Sequence, residues 1–137
     1  MKLNRHQIRE IAFQVLFAKR INSDNDIHQL VNSILTDLHY DSDDIPNYLY
    51  QLIDGVITNT EELNKLISSN LAAKWNLERL KTSDLVILQL AIYEMKYEDT
   101  VPMMVSINEA IELAKEFSDD DSKKFINGLL SSVYKQL

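Results

Sequence analysis

A chain of 137 residues has room for one domain with a moderate core, and with only two Gly and two Pro it lacks the turn residues that a β-rich fold consumes, so an all-α fold is expected. It has no Cys, which excludes a disulfide framework and any thiolate metal site. Its net charge of −7 speaks against a protein coated in nucleic acid, but the first 20 residues hold Lys2, Arg5, Arg9, Lys19 and Arg20 against Glu10 alone, while the rest holds 9 basic and 20 acidic residues. One basic end on an acidic body is the pattern of a local nucleic-acid contact, and it is equally compatible with ordinary surface variation.

The first helix is expected from about Asn4, a suitable N-cap, to Arg20. Ile8, Ile11, Ala12 and Val15 form its core stripe. At helical spacing His6, Arg9, Phe13, Phe17 and Arg20 fall on a neighbouring face, a basic strip containing aromatic rings. A loop at Asn22–Asp26 precedes a second helix, about Ile27–His39, whose stripe reads Leu30, Ile34 and Leu38. After a polar break at Tyr40–Asp44, Pro46 suits the first turn of a long third helix, with Asp43 or Asp44 at its start. That helix reads as continuous to about Asn70, through Leu49, Leu52, Ile53, Val56, Ile57, Leu63, Leu66 and Ile67, with Gly55 inside it. Leu71–Leu80, which contains Trp75, reads as a short helix and turn.

Thr82 or Ser83 opens the next helix, and its span from Leu85 to Met95 is apolar nearly all round, the mark of a buried helix. The apolar run from Leu85 to Tyr93 is too short for a membrane span, which needs about 20 residues. Asp99–Pro102 ends this helix. Ser106-Ile107-Asn108-Glu109 has the form of a capping box, followed by the stripe Ile107, Ala110, Ile111 and Ala114. Asp119-Asp120-Asp121-Ser122 makes a charged corner into a last helix with Phe125, Ile126, Leu129, Leu130 and Val133 on its inner face. The breaks near Tyr40–Asp44 and Asn76–Thr82 divide residues 1–137 into two tightly joined sub-bundles, roughly 1–75 and 76–137. The polar, basic N-terminus has no apolar signal region, so no secretion signal is expected.

Four stretches, matched in order along the chain, carry a resemblance. Val101–Leu130 reads P-x-x-V-x-I-N-E-A-I-E-L-A-K-x-F and then S-x-K-F-I-N-G-L-L. Asp84–Glu94 reads D-x-x-I-L-x-L-A-x-Y-E, and Gly55-Val56 stands with Asn59. The opening Arg5-His6-Gln7-Ile8-Arg9-Glu10, followed by Ala12, Gln14, Leu16 and Phe17, is similar to an arginine-rich start. In this wording the chain resembles the NusB family of bacterial transcription antitermination factors. It departs from the family's usual text at His6 and Gln7 (often Arg), Phe17 (often Tyr), Gln89 (often Arg), Ser118 (often Gly) and Ser131 (often Asp). The first two departures weaken the electrostatic case for RNA.

The resemblance implies an all-helical fold of about seven helices in two packed three-helix-like bundles. It implies a cytoplasmic RNA-binding factor that holds single-stranded boxA RNA together with the ribosomal small-subunit protein NusE. That complex meets other Nus factors and RNA polymerase and acts in ribosomal RNA transcription. The implied RNA-binding set is Lys2, Arg5, His6, Arg9, Phe17, Asp84, Asp121 and Lys124. Physically, Arg5 and Arg9 lie one turn apart and can face adjacent phosphates. Phe13 and Phe17 can stack unpaired bases or sit in the core. Lys123 and Lys124 lie in the first turn of the last helix, where backbone amides attract phosphate, or they are simply solvated. A helical adaptor that docks a protein without RNA is the alternative reading, and both a monomer and a dimer are compatible with the sequence.

No enzyme is expected. A di-iron bundle needs Glu followed three residues later by His, and no Glu here has that partner. His6, His28 and His39 all fall in the first half, Glu109 is accounted for by its cap and Glu112 by a solvated face. The chain has no glycine-rich phosphate loop, nucleophile elbow or Cys–His pair, so no catalytic, metal or cofactor site is expected. Related helical domains occur fused to RNA methyltransferases, but the cofactor loop that such a catalytic domain needs is missing here.

Overall fold

The computed structural model describes residues 3–40 and 44–137. Lys2 and Asp43 lie outside the described residues. Among those described there are seven α-helices and no strand: α1 (Arg5–Ile21), α2 (Ile27–Asp37), α3 (Asn47–Thr58), α4 (Thr60–Ser69), α5 (Thr82–Tyr97), α6 (Met103–Phe117) and α7 (Asp120–Gln136), with a 3-10 turn at Leu77–Arg79. The chain packs as two compact units, Met1–Gly55 and Val56–Leu137. The line between them falls inside α3, so α4 belongs with the later helices, earlier than the break read near residue 75.

In the first unit, α1 starts on a reciprocal cap. The Asn4 side chain accepts from the Gln7 amide at 2.8 Å, and the Asn4 amide donates to Gln7 Oε1 at 2.9 Å. This is the capping-box arrangement with Asn and Gln in place of Ser and Glu. The inner face of α1 carries Ile8, Ile11, Ala12 and Val15 as read, and also Arg9, Phe13 and Leu16. At the other end Lys19 Nζ donates to the Ser23 and Asn25 carbonyls at 2.6 and 2.7 Å, so one of the five N-terminal cations ties down a loop.

Helix α2 packs on α1 through a different face from the one read in the sequence. Val31 and Leu35 are buried, Leu30 and Ile34 flank them, and Leu38 is 57% exposed. A short helix with several adjacent apolar residues offers two stripes one position apart, and packing chooses between them. The helix also ends earlier than expected, because His39 adopts the left-handed conformation, φ 57°. Its amide bonds the Thr36 carbonyl at 3.0 Å and the Tyr40 amide bonds the Leu35 carbonyl at 2.8 Å, a Schellman motif. A side chain at that φ is strained and glycine is not, so His39→Gly is expected to raise stability by about 0.5–1 kcal/mol in urea unfolding.

The long third helix of the sequence reading is two helices. Thr60 Oγ1 donates to the Val56 and Ile57 carbonyls at 2.7 and 3.1 Å, drawing on acceptors of the preceding turn. Such back-bonding by Thr bends helices, and the chain turns at Asn59 before α4 begins.

In the second unit α5 is the centre, packed against α4, α6 and α7. Every residue from Asp84 to Met95 is buried. Buried polar groups on it find partners, as where Gln89 Nε2 donates to Asn64 Oδ1 on α4 at 2.8 Å. Ile107, Ala110, Leu113 and Ala114 of α6, and Ile126, Leu129, Leu130 and Val133 of α7, complete this core. Helix α6 corrects the capping-box reading. It begins one turn earlier, after Pro102, whose carbonyl receives the Val105 amide at 2.9 Å. Ser106 therefore lies inside the helix, 1% exposed, and its hydroxyl has no hydrogen-bond partner among the described residues.

Candidate nucleic-acid interface

The residues singled out for RNA fall in both units. On α1, Arg5 is exposed at the first helical position and its guanidinium lies 3.7 Å from the centroid of the Tyr48 ring. Stacked cations of this kind gain about 0.5–1 kcal/mol at exposed sites, and the stacking fixes where the fork of donors points. The sequence reading missed Tyr48 because nothing in the local pattern pairs a residue in α3 with the start of α1. His6 is half-buried, its Nε2 3.4 Å from Glu10 Oε1. Phe17 is half-buried and Phe13 is 3% exposed, their ring centroids 5.8 Å apart. Phe13 is thus a core residue, and Phe17 keeps an accessible edge.

Arg9 departs from the expected solvated strip. It is 3% exposed, as deeply placed as the isoleucines beside it, and its side chain is engaged within the protein. The idea that Arg5 and Arg9 jointly offer two guanidinium groups to solvent is therefore corrected. Arg5 is on the surface and Arg9 is inside. The wheel placed Arg9 next to the Ile8 stripe, and on a helix covered over a wide arc that position is interior.

In the second unit the start of α5, the α6–α7 turn and the segment before the 3-10 turn surround a cavity of about 390 Å³. Its lining includes Trp75, Arg79, Lys81, Asp84, Asp121 and Phe125. Asp84, expected among the RNA contacts, is only 5% exposed, and its carboxylate is taken up internally. Oδ1 accepts from Ser118 Oγ at 2.9 Å and Oδ2 from Ser122 Oγ at 2.8 Å. Its position in the first turn of α5 also suits the helix dipole. Asp84 thereby pins the α6–α7 turn to α5 through both serine hydroxyls.

Asp119 is the N-cap of α7, accepting from the Ser122 amide at 2.8 Å, and it also takes a hydrogen bond from Lys81 Nζ. The Lys81 ammonium first, and the Ser122 amide second, hold its carboxyl down at about 2 instead of 3.8. A carboxyl lowered in the folded state contributes stability that is present above its unfolded value and is lost as pH falls through the folded one. Lys81→Met should therefore lower the melting temperature near neutrality. The gap to the unaltered chain should close as pH falls from 3.8 towards about 2, as followed by circular dichroism.

Further along the same turn, Lys123 Nζ pairs with Asp120 Oδ1 at 3.0 Å, whereas Lys124 and Asp121 are both exposed on α7. The structure therefore brings Asp84 and Asp121 to one cavity, with Lys124 beyond it on the same helix, and gathers Arg5, His6 and Phe17 on α1. Trp75 and Arg79 enter the cavity without having been flagged; the signal available in the sequence was a lone Trp in a polar segment between two helices.

A family model for NusB matches residues 6–135. The chain belongs to the NusB family. A transcription antitermination protein NusB of Pediococcus pentosaceus is 47% identical over 135 residues, covering 98% of this chain and 100% of that protein. Among solved structures, NusB of T. maritima superimposes with a TM-score of 0.86 at 37% identity, covering 99% of this chain and 94% of the other. A chain from a complex described as antitermination factors NusB and NusE with dsRNA has the same fold, with a TM-score of 0.84 at 24% identity over 97% of each chain. Membership of the NusB family makes this chain a transcription antitermination factor and not an enzyme. Among the described residues no helix is long and apolar enough to cross a membrane.

Proposed function

We propose that this NusB-family chain binds single-stranded boxA RNA jointly with the ribosomal protein NusE, and that the complex works in the cytoplasm with other Nus factors and RNA polymerase on ribosomal RNA transcription. The observation that carries this reading is the match to NusB over nearly the whole chain. A complex of NusB and NusE with dsRNA, whose NusB chain has the same fold, supports NusE and RNA as the partners. Arg5, His6 and Phe17 on α1, and Lys124 with the turn before α7, are the residues assigned to RNA. Lys2 is assigned to it from the sequence alone. Arg9 and Asp84 support these surfaces from inside.

A few cations on a body of net charge −7 make binding by the protein alone weak, so NusE is expected to strengthen it. The test is fluorescence anisotropy of a labelled single-stranded boxA oligonucleotide across a salt series, with and without NusE, and with a duplex of the same sequence. Each phosphate contact on a single strand contributes about −0.7 to the slope of log K against log salt, so a slope of only a few units is expected. Equal affinity with and without NusE, a slope near zero, or a preference for the duplex would count against the reading. Binding of NusE without any RNA would favour a protein adaptor.

Asp121 gives a sharper check. It sits in the first turn of α7, one residue after Asp120, while Asp119 does the capping. Its exposed carboxylate lines the cavity beside this turn. Asp121→Asn is expected to tighten RNA binding at low salt, by roughly fivefold for about 1 kcal/mol of relieved repulsion, and less at high salt. Identical affinities at low salt would remove this turn from the RNA surface.

A further inference from the structure

We infer that the cavity beside Trp75 is a stacking pocket for one unpaired nucleobase, with Arg79 at its rim for the adjoining phosphate; the inference rests on the RNA-binding reading above and names a subsite within it. Trp75 is 52% exposed, an unusual amount of ring to leave in water. It is nonetheless held in place. The Trp75 amide bonds the Ala72 carbonyl at 2.9 Å, and the following Asn76 caps the 3-10 turn by accepting from the Arg79 amide at 3.1 Å. Phe125, half-buried on α7, lines the same cavity, so two aromatic rings and Leu80 supply its apolar surface. Its volume of about 390 Å³ is in the range of small-ligand pockets.

The polar groups around it narrow the occupant. Both oxygens of Asp84 already accept from Ser118 and Ser122, and Asp119 is held by Lys81. These groups are matched to one another and ask for nothing from a ligand. Arg79 is exposed, and one of its terminal nitrogens makes only a long 3.4 Å contact to the Lys74 carbonyl. What the pocket offers is therefore flat aromatic surface with Arg79 and Lys81 at the edge, against two exposed carboxylates, Asp119, which is paired with Lys81, and Asp121. A base stacked on a ring with its phosphate at a guanidinium meets that description.

Trp75 is the only tryptophan in the chain, so its emission reports on this pocket directly. The experiment titrates the full chain with single-stranded boxA oligonucleotide and follows Trp75 emission alongside the anisotropy of labelled RNA. Stacking should quench the emission saturably, with the midpoint given by anisotropy. Trp75→Ala should weaken RNA binding roughly 5- to 100-fold, and Trp75→Phe should keep most of the affinity, since any aromatic face can stack. Arg79→Gln should reduce the salt slope by about 0.7. Melting curves of the variants check that the fold persists, and the quenching in the unaltered chain does not depend on them. Normal RNA binding by anisotropy with unchanged Trp75 emission would overturn the pocket and leave the RNA reading standing. Quenching by NusE alone, with no further effect of RNA, would overturn it in favour of a protein contact. Absence of any RNA binding with NusE present would fell the RNA reading itself.

Discussion

Arg9→Ala is expected to destabilise the first unit by roughly 2–4 kcal/mol, far more than a surface arginine would cost. The residue is 3% exposed between Ile8 and Ile11, and its side chain is engaged within the protein. Truncation removes a long side chain from close packing and with it the interaction that engages the side chain within the protein. Both losses act in the folded state and neither is repaid by water reaching the site. Arg9→Lys should recover only part of the loss, because one ammonium cannot reproduce the planar fork of a guanidinium. By contrast, Arg5→Ala, at an exposed position over Tyr48, should cost about 1 kcal/mol or less. The consequence for function is that a drop in RNA affinity in Arg9→Ala cannot be assigned to a lost phosphate contact, whereas one in Arg5→Ala can. Urea unfolding of the two variants side by side decides the matter. An Arg9→Ala curve that overlays the unaltered chain would mean that Arg9 contributes little to the interior.

That contrast shows where the sequence was readable and where it was not. Long helices with one dominant stripe were legible, as in α1 and α7, because periodicity over four or more turns admits few alternatives. The buried character of α5 followed from its composition alone. Helix α2 was read one position off because Leu30, Val31, Ile34 and Leu35 make two equally good stripes, and only the neighbouring helix selects one. The break at Asn59 depends on a Thr60 hydroxyl finding two carbonyls, a local competition that leaves no trace in hydrophobic spacing. At Ser106 a sound local rule lost to an earlier start. Pro102 stops α5 from running on and begins α6 itself, so the Ser that looked like a cap became an interior residue. The family was legible from wording. Yet the roles of Arg9 and Asp84 turn on burial, which a helix wheel assigns only when the width of the covered arc is known.

Asp84→Ala is the second large effect to expect, and it tests how the α6–α7 turn is held. Removing the carboxylate takes away the acceptor for Ser118 and for Ser122, and Ser122 is only 3% exposed. Each hydroxyl left without a partner in such a place costs about 1–3 kcal/mol. The two serines lie 2.8 Å apart, so one can donate to the other after the loss, which recovers part of the cost. The first turn of α5 also loses a carboxylate that suits its dipole. Together these effects should amount to about 2–3 kcal/mol, seen as a fall of roughly 5–15 °C in melting temperature. Asp84→Asn should be milder, at about 1 kcal/mol, because it keeps one acceptor oxygen and a serine hydroxyl can rotate to accept from the new amide. RNA affinity separates a positioning role from a direct one. If Asp84 acts by holding the turn, affinity should fall with stability, strongly for Ala and slightly for Asn. If instead it meets RNA itself, Asn should change affinity while the melting curve stays near that of the unaltered chain.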